Sequence, residues 1–166
     1  FQKVLSALNS REIILIIGPR QCGKTTLMKL VEEFLKSKKE RTIFLNLDFE
    51  EDKKYFETQK KLIDKLDLEF DHKKAFVFID EIQRKENAGI FLKGIYDLNL
   101  PYKFIISGSG SLELKEKVHE SLAGRKLLFE MFPLTLDEFI NYKTHYAYEK
   151  KLHNFIKIES EFFLNL

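Results

Sequence analysis

An eight-residue stretch, residues 18–25 with the sequence GPRQCGKT, fits the G-x-x-x-x-G-K-[ST] pattern of a phosphate-binding loop. The five residues before it, IILII, form a short apolar run that predicts a buried strand. The residues after it carry apolar side chains at helical spacing, at Leu27, Leu30, Val31, Phe34 and Leu35. Strand, loop and helix therefore follow in the order that places phosphate at the start of a helix, which predicts an α/β fold around a nucleotide site.

The residue types within the loop have distinct predicted roles. Gly18 and Gly23 allow backbone conformations and close approaches that a Cβ atom would block. Successive backbone N–H groups then form a concave anion site at the positive end of the helix dipole. Lys24 is predicted to reach the outer phosphates, and Thr25 to offer its hydroxyl to a Mg²⁺ ion. The predicted nucleotide-binding residues of this segment are Gly18, Pro19, Arg20, Gln21, Cys22, Gly23, Lys24, Thr25 and Thr26.

Composition excludes several classes of protein. The 166 residues suffice for one domain with a sizeable core. The 28 basic side chains nearly cancel the 26 acidic ones, so the net charge favours binding neither to nucleic acid nor to a membrane surface. No apolar run approaches the ~20 residues that span a bilayer, and no signal segment opens the chain, so we expect a cytoplasmic protein with no membrane contact. The single cysteine, Cys22, excludes an intrachain disulfide and a cysteine-cluster metal site.

A second apolar run, residues 75–79, ends directly in Asp80 and Glu81. A carboxylate at the end of a buried strand is costly unless it is paired or lies near a cation, and bound Mg²⁺ at the loop would be that cation. Asp80 is therefore predicted to hold the metal together with Thr25, and Glu81 to orient or activate the attacking water. The alternative, in which the two acids simply begin a surface turn, is disfavoured by the upstream loop.

A third polar strand end follows residues 103–106, where the sequence SGSGS begins at Ser107. Open α/β sheets bind ligands at the carboxyl ends of their strands, so this end is expected beside the phosphate-binding loop. Ser107 and Ser109 are candidates for sensing the γ-phosphate, and a flexible turn is the alternative. An acidic cluster at residues 48–52 also follows a predicted strand, and for it a solvated loop and a functional role are equally open.

The remaining predicted elements complete the α/β alternation. Residues 67–74 are polar and charged, which predicts a loop. Thr135 and Glu138 have the spacing of a capping box, so a helix is predicted to begin at Leu136. Strands are also expected at residues 42–47 and 126–129, and apolar stripes indicate helices at residues 4–8, 55–66, 90–98, 118–122 and 152–166.

The order of these motifs resembles the AAA+ superfamily of P-loop ATPases and, more narrowly, a prokaryotic AAA-type family. The resemblance lies in GPRQCGKTT at residues 18–26, DEIQ at 80–83, SGS at 107–109, LAGR at 122–125 and PLTLDEF at 133–139. It implies a P-loop NTPase three-layer sandwich, with helices on both faces of a parallel five-stranded sheet in the order 5-1-4-3-2. It also implies an ATPase domain over residues 1–140 and, at residues 141–166, a helical tail that begins a truncated C-terminal region.

The resemblance also singles out Arg125, because AAA+ ATPases supply an arginine to the γ-phosphate, in cis or from a neighbouring subunit. It implies a catalytic role for Arg125 beside Lys24 and Glu81. An arginine that caps or salt-bridges the start of the fifth strand is an equally weighted alternative. Arg20 is expected to order the loop or to contact the acidic cluster, and Arg84 to anchor the turn after the third strand.

The combined features predict Mg²⁺-dependent ATP binding and hydrolysis coupled to a conformational change, with ATP and Mg²⁺ as the cofactors. The alternative is a nucleotide-gated binding module with little hydrolysis of its own. A P-loop kinase is less favoured, because the Asp-Glu pair and the serine-rich strand end are typical of ATPases. The predicted partners are a second copy of the chain or a regulatory protein. Nucleic acid is a family-level alternative that gains no support from the net charge of +2.

Overall fold

The computed structural model describes residues 1–110 and 120–148. The strands β1 to β5 are Ile13–Gly18, Thr42–Asn46, Ala75–Asp80, Tyr102–Ser109 and Lys126–Glu130. The described helices α1 to α6 are Gln2–Ser6, Lys24–Ser37, Glu50–Lys53, Gln59–Phe70, Ala88–Asp97 and Leu136–Lys143. Two 3₁₀ turns, Lys54–Phe56 and Ile82–Arg84, follow α3 and β3.

The five strands form one parallel sheet in the order β2-β3-β4-β1-β5. This is the predicted order read from its other end, so the fold-class prediction is confirmed. The last residue of β1, Gly18, pairs with Ser109, and the last residue of β2, Asn46, pairs with Asp80. The carboxyl ends of the strands therefore meet at one edge of the sheet, and the polar strand ends found in the sequence lie together there.

Different helices cover the two faces of the sheet. Side chains alternate along a strand, so Ile13, Leu15 and Ile17 share one buried cluster with residues of α4 and α5. Ile14 and Ile16 point the other way and share a second cluster with residues of α1 and α2. Both faces are thus buried, which explains why β1 is a continuous apolar run rather than an alternating one.

The predicted helix at residues 55–66 is wrong at its start. Tyr55 lies in a 3₁₀ turn, and α4 begins only after Thr58. The Thr58 side chain accepts a hydrogen bond from the backbone N–H of Lys61 at 3.2 Å, which caps the new helix. The apolar spacing runs across this break because Phe56 and Leu62 are buried in the same cluster.

The predicted loop at residues 67–74 is wrong in its first half, because α4 continues to Phe70. The ring of Phe70 packs against that of Tyr102, with 5.9 Å between the ring centroids. The Tyr102 hydroxyl donates a hydrogen bond to Asp67, so a charged residue that suggested a loop is held on the last turn of a helix. Tertiary contacts here outweigh local polarity.

Lys103 of β4 anchors the segment in front of β1. Its Nζ donates hydrogen bonds to the carbonyl oxygens of Ser10 and Glu12, at 2.7 and 2.5 Å. The side chain is buried, and this burial lowers the pKa of Lys103 to about 8. The contact fixes the start of β1 at the amino edge of the sheet, opposite the edge that carries the loop.

The chain divides into two compact units, Phe1–Phe132 and Pro133–Leu166. In the second unit, α6 begins at Leu136 after a capping box between Thr135 and Glu138, as predicted. The domain boundary expected at residue 140 stays a prediction. Of the helix expected at residues 118–122, only 120–122 are described, and 120 and 121 are helical; the helix expected at residues 152–166 lies outside the described residues. Within residues 1–110 and 120–148, no helix is long and apolar enough to cross a membrane.

Candidate nucleotide-binding site

The loop at residues 18–25 connects the carboxyl end of β1 to the first turn of α2. Gly23 is the residue before α2 and has φ 95, a left-handed conformation that favours glycine. A Cβ atom on Gly18 would lie 2.3 Å from the Met131 carbonyl oxygen, so this position requires glycine as well. The backbone N–H of Gly110 donates to the Gly18 carbonyl at 2.9 Å, which ties the loop to the end of β4.

Lys24, the first residue of α2, turns its ammonium back onto the loop. Its Nζ donates hydrogen bonds to the carbonyl oxygens of Gly18 and Pro19, at 3.0 and 2.8 Å. Only 6% of the residue is exposed, so the charge is held by backbone dipoles rather than by water. The loop thus has a cation at its inner side, supported by the two residues that open the loop.

Three side chains from different motifs meet beneath the loop. Thr25 Oγ1 donates a hydrogen bond to Asp80 Oδ2 at 2.7 Å, and Ser107 Oγ donates to the other carboxylate oxygen. Asp80 is 1% exposed, and each of its two carboxylate oxygens accepts one of these hydrogen bonds. The structure therefore brings together the predicted metal residues and the serine at the end of β4. Ser107 is fully buried, and its role as a γ-phosphate sensor stays a prediction.

The donor types at Thr25 and Asp80 fit Mg²⁺. This cation takes oxygen ligands, and proteins bind it through one or two carboxylates completed by substrate phosphates and water. A hydroxyl and a carboxylate oxygen 2.7 Å apart beside the loop match that pattern. Among the described residues there is no group of three or more His, Cys, Asp or Glu that could hold a metal alone. The residues thus fit a metal bound together with a nucleotide.

Glu81 begins a tight turn at the end of β3. It has φ 60, an unfavourable left-handed conformation for a residue with a side chain, and such strain is typical of functional sites. Its backbone N–H faces Asp80 Oδ1 at 3.2 Å and Ser107 Oγ at 3.4 Å. Its carboxylate accepts a hydrogen bond from the Gln83 side chain. The turn therefore places the Glu81 backbone against Asp80 and Ser107, while the carboxylate, which is predicted to activate water, contacts Gln83.

Gln83 is a site residue whose role the sequence analysis missed. Its Oε1 accepts a hydrogen bond from the Ser109 backbone N–H at 2.9 Å, so its Nε2 faces Glu81. The amide therefore links the end of β4 to the Glu81 carboxylate. Gln83 is the last residue of the DEIQ motif, but nothing in the sequence of residues 80–83 indicates that it contacts Ser109 at the end of β4.

A cavity of about 450 Å³ opens beside the loop. Asp48, the first residue of the acidic cluster, is part of its lining, and a functional role for that cluster stays a prediction. Arg84, which was expected only to anchor the turn after β3, lines the cavity as well. Arg84 Nε donates to Asp48 Oδ1 at 2.7 Å. The lining residues are Arg20, Gln21, Gly23, Lys24, Thr25, Thr26, Asp48, Glu81 and Arg84.

Arg125 lies at the opposite edge of the sheet from the loop. Its carbonyl accepts a hydrogen bond from the Ile13 N–H at 2.9 Å, and its Nε donates to Asp97 Oδ1 at 3.0 Å. Ile13 begins β1 and Gly18 ends it, a span of roughly 16 Å at the rise of a parallel strand. The structure therefore does not bring Arg125 to the loop of its own chain. A contact with a neighbouring chain stays a prediction.

The Cys22 thiol gives a chemical probe of the loop. Its Sγ lies 4.0 Å from Lys24 Nζ, so an adduct on the sulfur would crowd the ammonium, whereas loss of the thiol removes no backbone N–H. We expect Cys22→Ala to keep ATP affinity and alkylation of the native thiol with N-ethylmaleimide to lower it several-fold. Titration with ATP before and after alkylation measures this, with alkylated Cys22→Ala as the control. Unchanged affinity after complete alkylation would show that the side chain points elsewhere.

Sequence comparison finds relatives of this chain among uncharacterised proteins. An uncharacterised protein of Methanocaldococcus jannaschii is 28% identical over 154 residues, which cover 88% of this chain and 32% of that protein. An uncharacterised protein of Mycobacterium tuberculosis is 36% identical over 131 residues, which cover 78% of this chain and 27% of that protein. The chain thus spans about a third or less of the length of these relatives.

Solved structures show the same fold at low sequence identity. Saccharomyces cerevisiae RIF2 matches with a TM-score of 0.58 and 14% identity, over 85% of this chain and 57% of that one. Caenorhabditis elegans PCH-2 matches with a TM-score of 0.54 and 20% identity, over 78% of this chain and 37% of that one. The model of the AAA domain family matches residues 10–140, which include the loop, the Asp80–Glu81 strand end and all five strands. The chain therefore belongs to the AAA domain family.

Proposed function

We propose that this chain binds ATP with Mg²⁺ at residues 18–25 and hydrolyses its terminal phosphoanhydride bond, coupled to a conformational change. The observation that carries the proposal is the buried contact of Asp80 with Thr25 and Ser107 directly beneath the loop, with Glu81 on the adjoining turn. Bound Mg²⁺ would neutralise charge on the phosphate oxygens. The proposed setting is the cytoplasm.

The loop and Lys24 bind the phosphates in this proposal. Backbone N–H groups at the start of the 14-residue helix α2 supply donors, and the helix dipole favours negative charge there. The Lys24 ammonium is already within the curve of the loop and exchanges its bonds to the Gly18 and Pro19 carbonyls for phosphate oxygens. The new bonds join an ammonium to an anionic oxygen, whereas the bonds they replace join it to neutral carbonyl oxygens, so the exchange favours binding.

Glu81 handles the proton of the attacking water. As the water oxygen forms a bond to the γ-phosphorus, the bond from that phosphorus to the β–γ bridging oxygen breaks, and Glu81 accepts the released proton. ADP leaves with the bond's electron pair on its terminal oxygen, and inorganic phosphate is the second product. Gln83 donates to Oε2 of Glu81 and thereby limits the rotation of the carboxylate. Gln83 is itself held by the Ser109 backbone N–H, so the end of β4 helps to fix the orientation of the Glu81 carboxylate.

A second cavity, of about 410 Å³, is a candidate place for the nucleotide base. Apolar side chains, including Ile17, Pro19 and Met131, form much of its lining beside the first residues of the loop. A flat, largely apolar base with a few polar edges suits such a surface. The proposed arrangement has the phosphates at Lys24 and the base at this cavity.

Product analysis tests hydrolysis directly. Incubation of the chain with ATP and Mg²⁺ is expected to yield ADP and free phosphate in equal amounts, both of which can be measured by chromatography and a phosphate assay. ADP without an equal amount of phosphate would mean that the phosphoryl group passes to another acceptor, as in a kinase. Neither product from a chain that binds ATP would favour the nucleotide-gated module.

The position of Arg125 favours a role for a second copy of the chain. Arg125 lies at the edge opposite the loop, where it pairs with Asp97, so we propose that it exchanges this pair for the nucleotide of a neighbouring chain. We expect the turnover per chain to rise with protein concentration, and Arg125→Ala to remove this rise. A phosphate-release assay over a dilution series measures it.

A mixing experiment provides the control for this prediction. Arg125→Ala keeps its own Glu81, and Glu81→Gln keeps its own Arg125, so a mixture of the two variants should show more turnover than the sum of the two measured separately. Turnover that is independent of concentration and unaffected by Arg125→Ala would leave Arg125 a structural residue that holds Asp97.

A further inference from the structure

Arg84 and Glu81 belong to the same tight turn. The backbone N–H of Arg84 donates to the Glu81 carbonyl at 2.9 Å, which closes the 3₁₀ turn Ile82–Arg84. Three residues per turn return the chain to the same side after one turn, and both side chains line the cavity beside Lys24 and Thr25. Arg84 therefore lines the cavity from the same turn as Glu81, the residue proposed to accept the proton of the attacking water.

Asp48 orients the guanidinium from the neighbouring strand. It follows β2, and the backbone N–H of Leu47 beside it bonds to the Asp80 carbonyl at 3.1 Å, so its position is fixed by the sheet. The carboxylate accepts from Arg84 Nε at 2.7 Å. A guanidinium is planar and carries its four other N–H donors on the two terminal nitrogens, so one bond at Nε sets the plane of the group and directs those donors.

The charge of the cavity suits an anionic ligand with an outer phosphate. Arg20, Lys24 and Arg84 contribute three cations to its lining, and Asp48 and Glu81 contribute two carboxylates. Asp48 is already paired with Arg84, so it orients that cation rather than repelling a phosphate. Arg20 and Lys24 lie on the loop itself, whereas Arg84 is carried by the turn that bears Glu81.

We propose that Arg84 contacts the terminal phosphate of ATP bound to its own chain, and that Asp48 holds it there. This assignment rests on the proposed binding of ATP at residues 18–25. It gives the site an arginine in cis, distinct from Arg125 at the opposite edge of the sheet. Arg84 neutralises charge on the terminal phosphate as the bridging bond breaks, so it acts on the γ-phosphate and makes no contact with ADP.

The contrast between ATP and ADP tests this assignment without relying on turnover. We expect Arg84→Met to weaken a non-hydrolysable ATP analogue on the order of tenfold or more, the loss of a charged hydrogen bond, and to leave ADP affinity within about twofold. Isothermal titration at protein concentrations where the chain is monomeric gives both constants. Lys73→Met is the matched control, because it also removes an exposed cation paired with one aspartate but lies outside the cavity lining, and it should change neither constant.

Other variants and outcomes complete the test. Asp48→Asn should give a smaller loss for the analogue alone, and turnover of Arg84→Met should fall on the order of 10³-fold at every protein concentration. The Arg84 side chain is 49% exposed, so the unfolding midpoint of the Arg84→Met protein should match that of the wild type. Equal weakening of both nucleotides, or no weakening, would overturn the assignment. A wild-type chain that binds the analogue but does not hydrolyse ATP refutes only the proposed hydrolysis, and the ATP–ADP contrast still decides Arg84.

Discussion

Replacing Lys24 by alanine is expected to abolish measurable binding of ATP. The ammonium is the cation closest to the loop carbonyls, and its transfer to phosphate oxygens forms charged hydrogen bonds of ~1.5–3 kcal/mol each. Loss of two such bonds lowers affinity by about 100-fold or more. Titration of the variant with ATP, followed by calorimetry or by a fluorescent ATP analogue, measures this change.

Lys29 provides the matched control for this variant. It lies on the same helix as Lys24 but is exposed, so Lys29→Ala removes an equal charge without touching the loop. Its ATP affinity should stay within about twofold of the wild type, as expected when a solvated charge is removed. The thermal unfolding midpoint of Lys24→Ala must be compared with that of the wild type as well, because the lysine also holds the carbonyl groups of Gly18 and Pro19 by hydrogen bonds. A folded Lys24→Ala protein with unchanged ATP affinity would contradict the assignment of the loop.

Glu81→Gln is expected to bind ATP with wild-type affinity and to lose turnover by about 10²–10⁴-fold, the contribution typical of a positioned general base. The substitution is nearly isosteric, and a glutamine oxygen can still accept the hydrogen bond from Gln83. The geometry of the turn is thereby kept while the proton acceptor is removed. Phosphate release at saturating ATP measures turnover, and a separate titration measures binding.

Glu86→Gln is the control for this second prediction, because Glu86 is exposed and lies a few residues beyond the same turn. It removes one negative charge near the site and should leave both affinity and turnover unchanged. If Glu81→Gln hydrolyses ATP at the wild-type rate, another group accepts the proton and the role of Glu81 is wrong. If it loses affinity and turnover equally, Glu81 serves binding rather than the chemical step.

The fold could be predicted from two kinds of sequence information. The apolar run of β1, the loop and the stripe of α2 are local patterns, and each follows from the period of its own element. The sheet order is not local, and it came from the resemblance of the joined motifs to the AAA+ ATPases. Where prediction failed, at Thr58 and at residues 67–70, a helix cap and a contact with Tyr102 decided the structure. Neither the helix cap at Thr58 nor the contact with Tyr102 can be predicted from apolar spacing or local charge.

The site could be predicted as a set of motifs but not as a set of contacts. Asp80 and Thr25 were expected to meet because both belong to known positions around a phosphate-binding loop. The bond from Ser109 to Gln83 and the ion pair of Arg84 with Asp48 join residues 26 and 36 positions apart, at the ends of neighbouring strands or in the turns that follow them. Nothing in the local sequence selects those partners. The place of Arg125 likewise depends on strand direction, which puts the start of β5 at the edge opposite the loop.

Phosphate release from ATP, with and without Mg²⁺, is the most direct test of the proposed hydrolysis at the buried Thr25–Asp80 pair. The wild-type chain is measured at a protein concentration high enough for neighbouring copies to associate, with Lys24→Ala run in parallel to exclude a contaminating ATPase. We predict release with Mg²⁺ that falls to the background of Lys24→Ala when EDTA removes the metal. Release that persists in EDTA, or that is equal in wild type and Lys24→Ala, would contradict a metal-dependent ATPase at this loop.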